Sequence, residues 1–307
     1  MRQILILSAL AVSLVLLTAG WASAQTAAAA DESYNMGIKA MQENDTANAI
    51  IYYNAALTAD ANYELAYFNL GSIYFAQNKL EDAAANFKKV TELNPQNAEG
   101  LVSYAKVLYA QKQFDDAAKA FEGALAINPE LTEATKGLGK VYFQKATKAS
   151  AAAEKKTFYE ECIKYVEKYV QADSTDAYSY YMMGMAHKKG NPAKAIANFS
   201  KAIQIDPESF ESIYNLAGMY ASQEKYSLAI DNYERALKLK PKDYRSAWQL
   251  AIAVQSSNPE DYDAAIVAYQ RFLDVANNNT DARAKEHVPE AEKLIKDLKD
   301  AKAAAGQ

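Results

Sequence analysis

Cysteine and histidine are scarce in this 307-residue sequence, which contains one cysteine and two histidines. Zinc fingers, disulfide frameworks and iron–sulfur centres all need several such ligands, so the sequence cannot build them. We therefore expect no metal site and no cofactor. Glycine and proline are also infrequent, at 11 and 7 residues. Their scarcity favours uninterrupted helices, because both residues are poor helix formers.

Motifs of enzyme chemistry are absent as well. The sequence has no glycine-rich phosphate loop, no HExxH motif and no Gly-x-Ser-x-Gly elbow. We expect Cys162 to be a buried structural thiol, His187 a packing residue and His287 a surface residue. The formal net charge of −5 argues against nucleic acid, whose binding needs a basic face. We predict a protein that is not an enzyme and does not bind nucleic acid.

The first 24 residues resemble a secretory signal peptide. Arg2 provides a positive charge, residues 4–17 are almost wholly apolar, and Ala22-Ser23-Ala24 supplies a small-residue cleavage site. The apolar stretch is short for a membrane span, which needs roughly 20 residues. We predict cleavage after Ala24 and export across the inner membrane to the periplasm, leaving no integral membrane domain. An uncleaved membrane anchor is the alternative.

The chain repeats itself. Three stretches align: AYFNLGSIYFAQNKLEDAAANFKKVTELNP at 66–95, AYSYYMMGMAHKKGNPAKAIANFSKAIQIDP at 177–207, and SIYNLAGMYASQEKYSLAIDNYERALKLKP at 212–241. The first and third align without a gap, and the second aligns with a single deletion. Each contains Leu-Gly or a similar pair, then Tyr or His, then Ala, an aromatic residue, Ala and Pro. This pattern resembles the tetratricopeptide repeat, a helix–turn–helix unit of about 34 residues.

The resemblance implies an all-α fold. We expect an α-solenoid of about seven stacked helix–turn–helix units in a right-handed superhelix, closed by a C-terminal capping helix. A short linker at 25–29 would precede the solenoid at 30–277. The predicted units are 30–63, 64–97, 98–131, 132–176, 177–209, 210–243 and 244–277, and the capping helix and tail occupy 278–307.

The second unit shows how such a unit would pack. Tyr67, Leu70, Gly71 and Tyr74 have the i, i+3, i+4, i+7 spacing of one helical face, which we assign to the core. Gly71 would let a neighbouring helix approach closely. Pairs ending in proline would stop the second helix of a unit, because the residue before proline avoids the α region. These pairs lie at 94–95, 128–129, 206–207 and 240–241.

The unit at 132–176 is longer than the others, with the extra residues around 145–156. We expect the insertion to lengthen both helices, with Ser150 as N-cap of the second helix. The acidic pair Glu160-Glu161 would lie near the start of that helix, where negative charge is favourable. The role of the insertion is open between a tolerated extension and a partner contact.

A second stripe of side chains runs beside the core face of each first helix. Phe68 and Phe75 lie one residue further round the helix than Tyr67 and Tyr74, and in tetratricopeptide solenoids this stripe lines the concave groove. Aromatic and methionine side chains there suit adaptable recognition of a peptide or protein, and packing against the next unit is the alternative. The resemblance places these candidate groove residues on the stripe: Tyr34, Phe68, Asn69, Phe75, Lys106, Tyr109, Lys140, Phe143, Tyr181, Met185, Tyr214, Asn215, Arg245, Trp248 and Gln249.

Some members of the family hold chaperone C-termini with a Lys/Asn/Arg carboxylate clamp. Asn69 and Asn215 match its asparagine position. However, Glu99 follows Asn69 where a basic residue is needed, and Tyr181 and Met185 precede Asn215 where Lys and Asn are needed. We therefore expect no such clamp for chaperone tails.

Together these features predict a non-catalytic scaffold of the bacterial cell envelope that binds a protein or peptide partner in the concave groove. One alternative is a cell-wall or carbohydrate-binding module, because aromatic rings also stack on sugars. Another is the same scaffold held in the membrane by an uncleaved signal.

Overall fold

The computed structural model describes residues 25–306, so the predicted signal peptide lies outside the described residues. Between residues 25 and 306 every regular element is helical. The α-helices are α1 (25–42), α2 (Thr46–Ala59), α3 (Glu64–Ala76), α4 (Leu80–Leu93), α5 (Ala98–Ala110), α6 (Phe114–Ile127), α7 (Thr132–Lys148), α8 (Ala152–Ala172), α9 (Ala177–His187), α10 (Pro192–Ile205), α11 (Phe210–Ala221), α12 (Tyr226–Leu239), α13 (Tyr244–Ser257), α14 (Tyr262–Asn277) and α15 (Val288–Ala304). A 3₁₀ helix (Ala282–Lys285) precedes α15.

The chain forms two compact units that divide between Lys145 and Ala146. In the first unit α3 packs on α4 and α5 on α6, while α2 contacts α3 and α4 contacts α5. In the second unit each α-helix from α8 to α14 contacts the α-helix that follows it in the chain. This serial packing of neighbouring helices confirms the predicted all-α solenoid class. The division into seven units stays a prediction.

Proline pairs end the second helices as expected. The last helical residues of α4, α6, α10 and α12 are Leu93, Ile127, Ile205 and Leu239, each directly before an Asn-Pro, Asp-Pro or Lys-Pro pair. The start of α10 also follows local chemistry. The Asn191 side chain accepts a hydrogen bond from the backbone N–H of Lys194 at 3.1 Å, and Pro192 opens the helix.

A glycine on a first helix receives an aromatic ring from the second helix. At Gly71 an added Cβ would lie 3.1 Å from ring atoms of Phe87, and at Gly184 it would lie 2.5 Å from Cε1 of Phe199. Both rings are buried. The predicted close approach at Gly71 is therefore confirmed, because a larger residue would hold the two helices apart.

Three local expectations from the sequence are wrong. Tyr67 and Tyr74 are half-buried rather than fully buried; Tyr74 packs against two core clusters, while the Tyr67 hydroxyl donates to the Ala61 carbonyl at 3.2 Å. Ser150 does not cap α8, whose N-cap is Ala151 without a side-chain hydrogen bond. The insertion does lengthen both helices, to 17 residues in α7 and 21 in α8. As a result, the pair at 160–161 lies inside α8 and not in its first turn.

The C-terminal helix buries one face. Ala291, Ile295 and Leu298 join a core cluster that includes residues of α13 and α14. At the other end of α15, the Lys302 ammonium donates to both carboxylate oxygens of Asp263 at 2.6 Å. Pro289 stands in the first turn of the helix, where proline is tolerated because its missing N–H would have no partner within the helix. Within residues 25–306 none of the helices combines the length and apolarity that a membrane span requires.

Candidate binding surface

The helices of the first compact unit form an open pocket of about 290 Å³. Its lining is entirely uncharged and consists of Met41, Thr46, Tyr53, Asn69, Ser72, Ile73, Ala76 and Gln77. Met41 is 38% exposed, and Phe75 on the same helix as Asn69 is 37% exposed. The pocket therefore presents apolar, thioether and amide groups without a fixed charge.

A tyrosine cluster supports one wall of this pocket. The Asn69 Nδ2 donates to the Tyr34 hydroxyl at 3.2 Å, which fixes the plane of the Asn69 amide. The half-buried Tyr34 ring packs against Tyr53 and Tyr63, with centroids 5.6 and 5.2 Å apart. The Tyr63 hydroxyl donates to Asp31 at 2.7 Å, and burial together with that carboxylate raises the pKa of Tyr63 to about 12.

Other candidate groove residues of the first unit are engaged inside it. Phe68 is half-buried and meets Phe87 edge-on, with centroids 5.5 Å apart. Lys106 pairs with Glu133 at 2.6 Å, and Tyr109 is half-buried, as is Lys140. Phe143 is only 4% exposed, so the predicted groove position is wrong for this residue, because a buried ring cannot face a partner.

In the second compact unit the side chains of the aromatic stripe pack against the core and also remain partly exposed. The half-buried Tyr181 ring lies 6.2 Å from Phe199 and 5.7 Å from Tyr178, and Tyr178 is 39% exposed. Tyr214 stacks on Phe210 at 6.1 Å with an interplanar angle of 14°. Met185 is half-buried beside the same cluster as Tyr181. These side chains contact the core with one edge and leave the other edge accessible.

Sequence reasoning missed one functional candidate, Lys188. Its ammonium donates to Oδ1 of Asn215 at 2.8 Å, and the Asn215 Nδ2 donates to the Glu211 carbonyl at 2.7 Å. Asn215 is 8% exposed, so the expectation that it faces the groove openly is wrong. Lys188 is exposed as a residue, but burial around its ammonium group lowers its pKa.

Two further cations lie over aromatic rings. The exposed Arg245 guanidinium is 5.3 Å from the centroid of Tyr214 and pairs with Asp243 at 2.9 Å. Lys240 lies 3.9 Å above Phe210 and pairs with Glu211 at 3.0 Å. Each of these cations thus has its own carboxylate, and cation–π contacts hold both in place.

Trp248 is not a groove residue. It is 6% exposed and packs against Tyr269 and Phe272 of α14 at 5.7 and 4.9 Å. His287, expected at the surface, is half-buried and stacks on the indole ring. Gln249, the next candidate, is half-buried. The sequence pattern could not foresee this burial, because the C-terminal segment supplies part of it.

The groups that could carry chemistry are dispersed or inert. Cys162 is fully buried, and burial raises the pKa of its thiol to about 12. Burial and the nearby Lys194 lower the pKa of His187, while Glu167 opposes them. Among residues 25–306, His, Cys, Asp and Glu side chains do not gather in groups of three that could hold a metal ion.

Comparison with known families identifies the repeats. Models described as "Tetratricopeptide repeat" match residues 34–98, 68–132, 104–177, 177–209 and 210–243, which together span more than half of the chain. A human protein, tetratricopeptide repeat protein 6, is 38% identical over 58 residues. That match covers 19% of this chain and 11% of the human protein, so this chain spans only a small part of the relative.

Solved structures share the fold at low sequence identity. The C-terminal part of a tetratricopeptide repeat protein from Cytophaga hutchinsonii is 19% identical, with a TM-score of 0.61 over 82% of this chain and 97% of that one. A repeat protein from Parabacteroides merdae is 16% identical, with a TM-score of 0.56 over 87% and 98%. YrrB, described as a repeat protein with an unusual peptide-binding site, is 21% identical, with a TM-score of 0.53 over 63% and 95%.

These matches agree with the repeated hairpins, the glycine–aromatic contacts and the proline-terminated helices. The chain therefore belongs to the tetratricopeptide repeat family, whose members serve in general as non-catalytic scaffolds for protein–protein interaction.

Proposed function

We propose that this protein is a non-catalytic scaffold of the bacterial cell envelope that binds a peptide or protein partner along the first helices of its hairpins. One observation carries the proposal. Large apolar side chains stand exposed on first helices within each compact unit, on α1 and α3 in the first unit and on α9 in the second. They are Met36, Met41, Phe75 and Tyr178, each between 37% and 42% exposed.

The chemistry of this surface suits a peptide. Methionine adapts its shape to different partners, and aromatic rings supply a large contact area at low entropic cost. The amides of Asn69 and Gln77 on the pocket wall match the hydrogen-bonding groups of a peptide backbone. The peptide-binding site named for YrrB supports the same class of ligand for this chain.

The envelope location rests on the sequence of the first 24 residues. Cleavage after Ala24 would leave Gln25 as the first residue of the native protein, whereas a retained anchor would leave Met1 or Arg2. N-terminal sequencing of protein purified from its native cells decides between them. A blocked or Met1 terminus in a membrane fraction would contradict the periplasmic location.

Site-directed photocrosslinking tests the binding surface. A photo-reactive phenylalanine analogue at Phe75 should form adducts with envelope proteins on irradiation. The matched control is the same analogue at Ile51, which is 60% exposed on α2, a second helix of the same compact unit, and should form few adducts. Equal adducts at both positions would contradict the proposal. Retention on isolated cell-wall glycan, without protein adducts, would favour the carbohydrate-binding alternative.

A further inference from the structure

The α9–α10 hairpin carries positive charge only, although the protein as a whole is acidic. Residues 177–205, which span both helices and their turn, contain no Asp or Glu, although the whole chain has a formal charge of −5. The same stretch contains four lysines: Lys188, Lys189, Lys194 and Lys201. The next hairpin mixes its charges, with Asp231, Glu234, Arg235 and Lys238 all on α12.

In the part of the chain that the structure describes, these four lysines form no ion pair with a carboxylate, whereas several other lysines do. Lys106, Lys145 and Lys240 each form an ion pair at 3.0 Å or less. By contrast, Lys188 donates to the neutral amide oxygen of Asn215 at 2.8 Å, and Lys201 donates to that of Gln204 at 3.2 Å. Residues 25–306 supply no ion pair to Lys188, Lys189, Lys194 or Lys201.

Lys188 has the least favourable electrostatic environment of the four lysines. Its ammonium is partly withdrawn from water against the buried Asn215, which lowers its pKa, and no carboxylate offsets the effect. Burial and the positive charge of Lys194 lower the pKa of the adjacent His187, whereas the negative charge of Glu167 on α8 raises it. A desolvated cation without a counter-charge is costly, and a ligand carboxylate would relieve that cost.

Two candidate groove residues, Tyr181 and Met185, precede this cation on α9. Tyr181, Met185 and Lys188 are spaced i, i+4, i+7, and Lys188 keeps helical backbone angles at the C-cap, so the three share one face of the helix. An extended chain lying along α9 would meet an aromatic ring, a thioether and then an ammonium group.

We propose that the α9–α10 turn, through Lys188, Lys189 and Lys194, docks an acidic segment of the protein partner. The inference rests on the proposed function, and it assigns Asp or Glu side chains to the segment that follows the groove past Tyr181 and Met185. A side-chain carboxylate reaches the Lys188 ammonium where it lies against Asn215. The Lys188 ammonium is held against the buried Asn215 amide, where a single side-chain carboxylate can approach more closely than a flat anionic bilayer, which favours a peptide over a membrane surface.

The test uses a fluorescent Glu-rich peptide that contains one Phe, together with its Gln isostere. Fluorescence anisotropy with the full-length mature protein should show tighter binding of the acidic peptide, and the preference should shrink as salt is raised. Replacing three lysines at once (Lys188→Gln, Lys189→Gln and Lys194→Gln) should weaken acidic-peptide binding about tenfold, since each exposed charge contributes modestly. Binding of the Gln peptide should change little.

A matched control removes the same charge elsewhere. Lys293, Lys296 and Lys299 are exposed on α15 among acidic neighbours, and the triple change to Gln there should leave acidic-peptide binding within about twofold. Equal losses in both triple variants would overturn the proposal, because net charge alone would then explain binding. Binding to phosphatidylglycerol vesicles without peptide binding would also overturn it. Equal binding of both peptides would overturn the acidic assignment while leaving the Phe75 crosslinking result, and hence the proposed function, untouched.

Discussion

The indole ring of Trp248 lies parallel to the imidazole ring of His287, with ring centroids 4.6 Å apart and an interplanar angle of 12°. Trp248 belongs to α13, and His287 directly precedes α15. His287 also places Nδ1 at 3.2 Å from the Glu290 carboxylate. The stack therefore joins the last hairpin to the C-terminal helix and covers a tryptophan that the repeat pattern alone would leave facing outward.

Trp248→Ala should destabilise the protein by about 3–5 kcal/mol, as truncation of a buried tryptophan does. Urea unfolding monitored by circular dichroism measures the change. Gln249→Ala, at the half-buried neighbour, should cost much less. Lost partner capture at unchanged stability in Trp248→Ala would show that the ring faces a partner after all.

Phe75→Ala should weaken partner capture with little change in melting temperature, because Phe75 is 37% exposed. Phe68→Ala is the matched comparison on the same helix. It should lower the melting temperature clearly, since that ring packs edge-on against Phe87. Parallel thermal melts and pull-downs separate the two effects. If both variants lowered the melting temperature equally, Phe75 would be packed against the core as Phe68 is.

Gly184→Ala should destabilise by about 1–3 kcal/mol, the usual cost of overpacking, because the new methyl would press into the Phe199 ring. Gly190→Ala is the control, since a Cβ there meets nothing within 4 Å and should leave stability within about 0.5 kcal/mol. Denaturant titration of both variants is sufficient. A neutral Gly184→Ala would mean that α9 and α10 separate more easily than the contact implies.

Lys112→Gly should stabilise the protein by up to about 1 kcal/mol, because Lys112 has φ of 63°, a left-handed conformation that costs a side-chain-bearing residue energy. The turn itself would persist, with the Gln113 N–H donating to the Leu108 carbonyl at 2.9 Å. Gln113→Gly, where φ is −84°, should give no gain. A lower melting temperature for Lys112→Gly would show that the lysine side chain stabilises the turn.

Stability should fall as the pH rises from about 9 to about 12. Burial raises the pKa of the Cys162 thiol from 9.0 and of the Tyr269 phenol from 10.0, each to about 12. Between about pH 9 and about pH 12 the thiol and the phenol lose their protons in the unfolded chain but retain them in the folded chain, so their ionisation favours unfolding. The lowered pKa of Lys188 acts in the opposite sense but is a single group.

Melting temperatures across that alkaline range test the pH prediction. A thiol reagent gives an independent readout, since Cys162 should react only after denaturation. Rapid labelling of the native protein near neutral pH would contradict the burial of Cys162, and an unchanged melting temperature up to pH 12 would contradict the shifted phenols.

The sequence by itself determined the features of this protein that depend on interactions within one helix or one hairpin. Asn191 caps α10, proline pairs end α4, α6, α10 and α12, and Gly71 admits the Phe87 ring. The cap and the helix ends follow from steric and hydrogen-bonding rules that act within a few residues, and the glycine contact joins the two helices of one hairpin. The recurrence of these features at one period revealed the family.

Only the tertiary structure decided which residues of the candidate surface are accessible. Spacing gives the angle of a side chain round its helix, and so Phe75 and Trp248 occupied the same predicted stripe. Burial depends instead on what packs above that stripe, and residues far along the chain supply it: His287 covers Trp248, whereas Phe75 keeps an open edge. The contact of Lys188 with Asn215 arises in the same way, because it joins residues on separate hairpins.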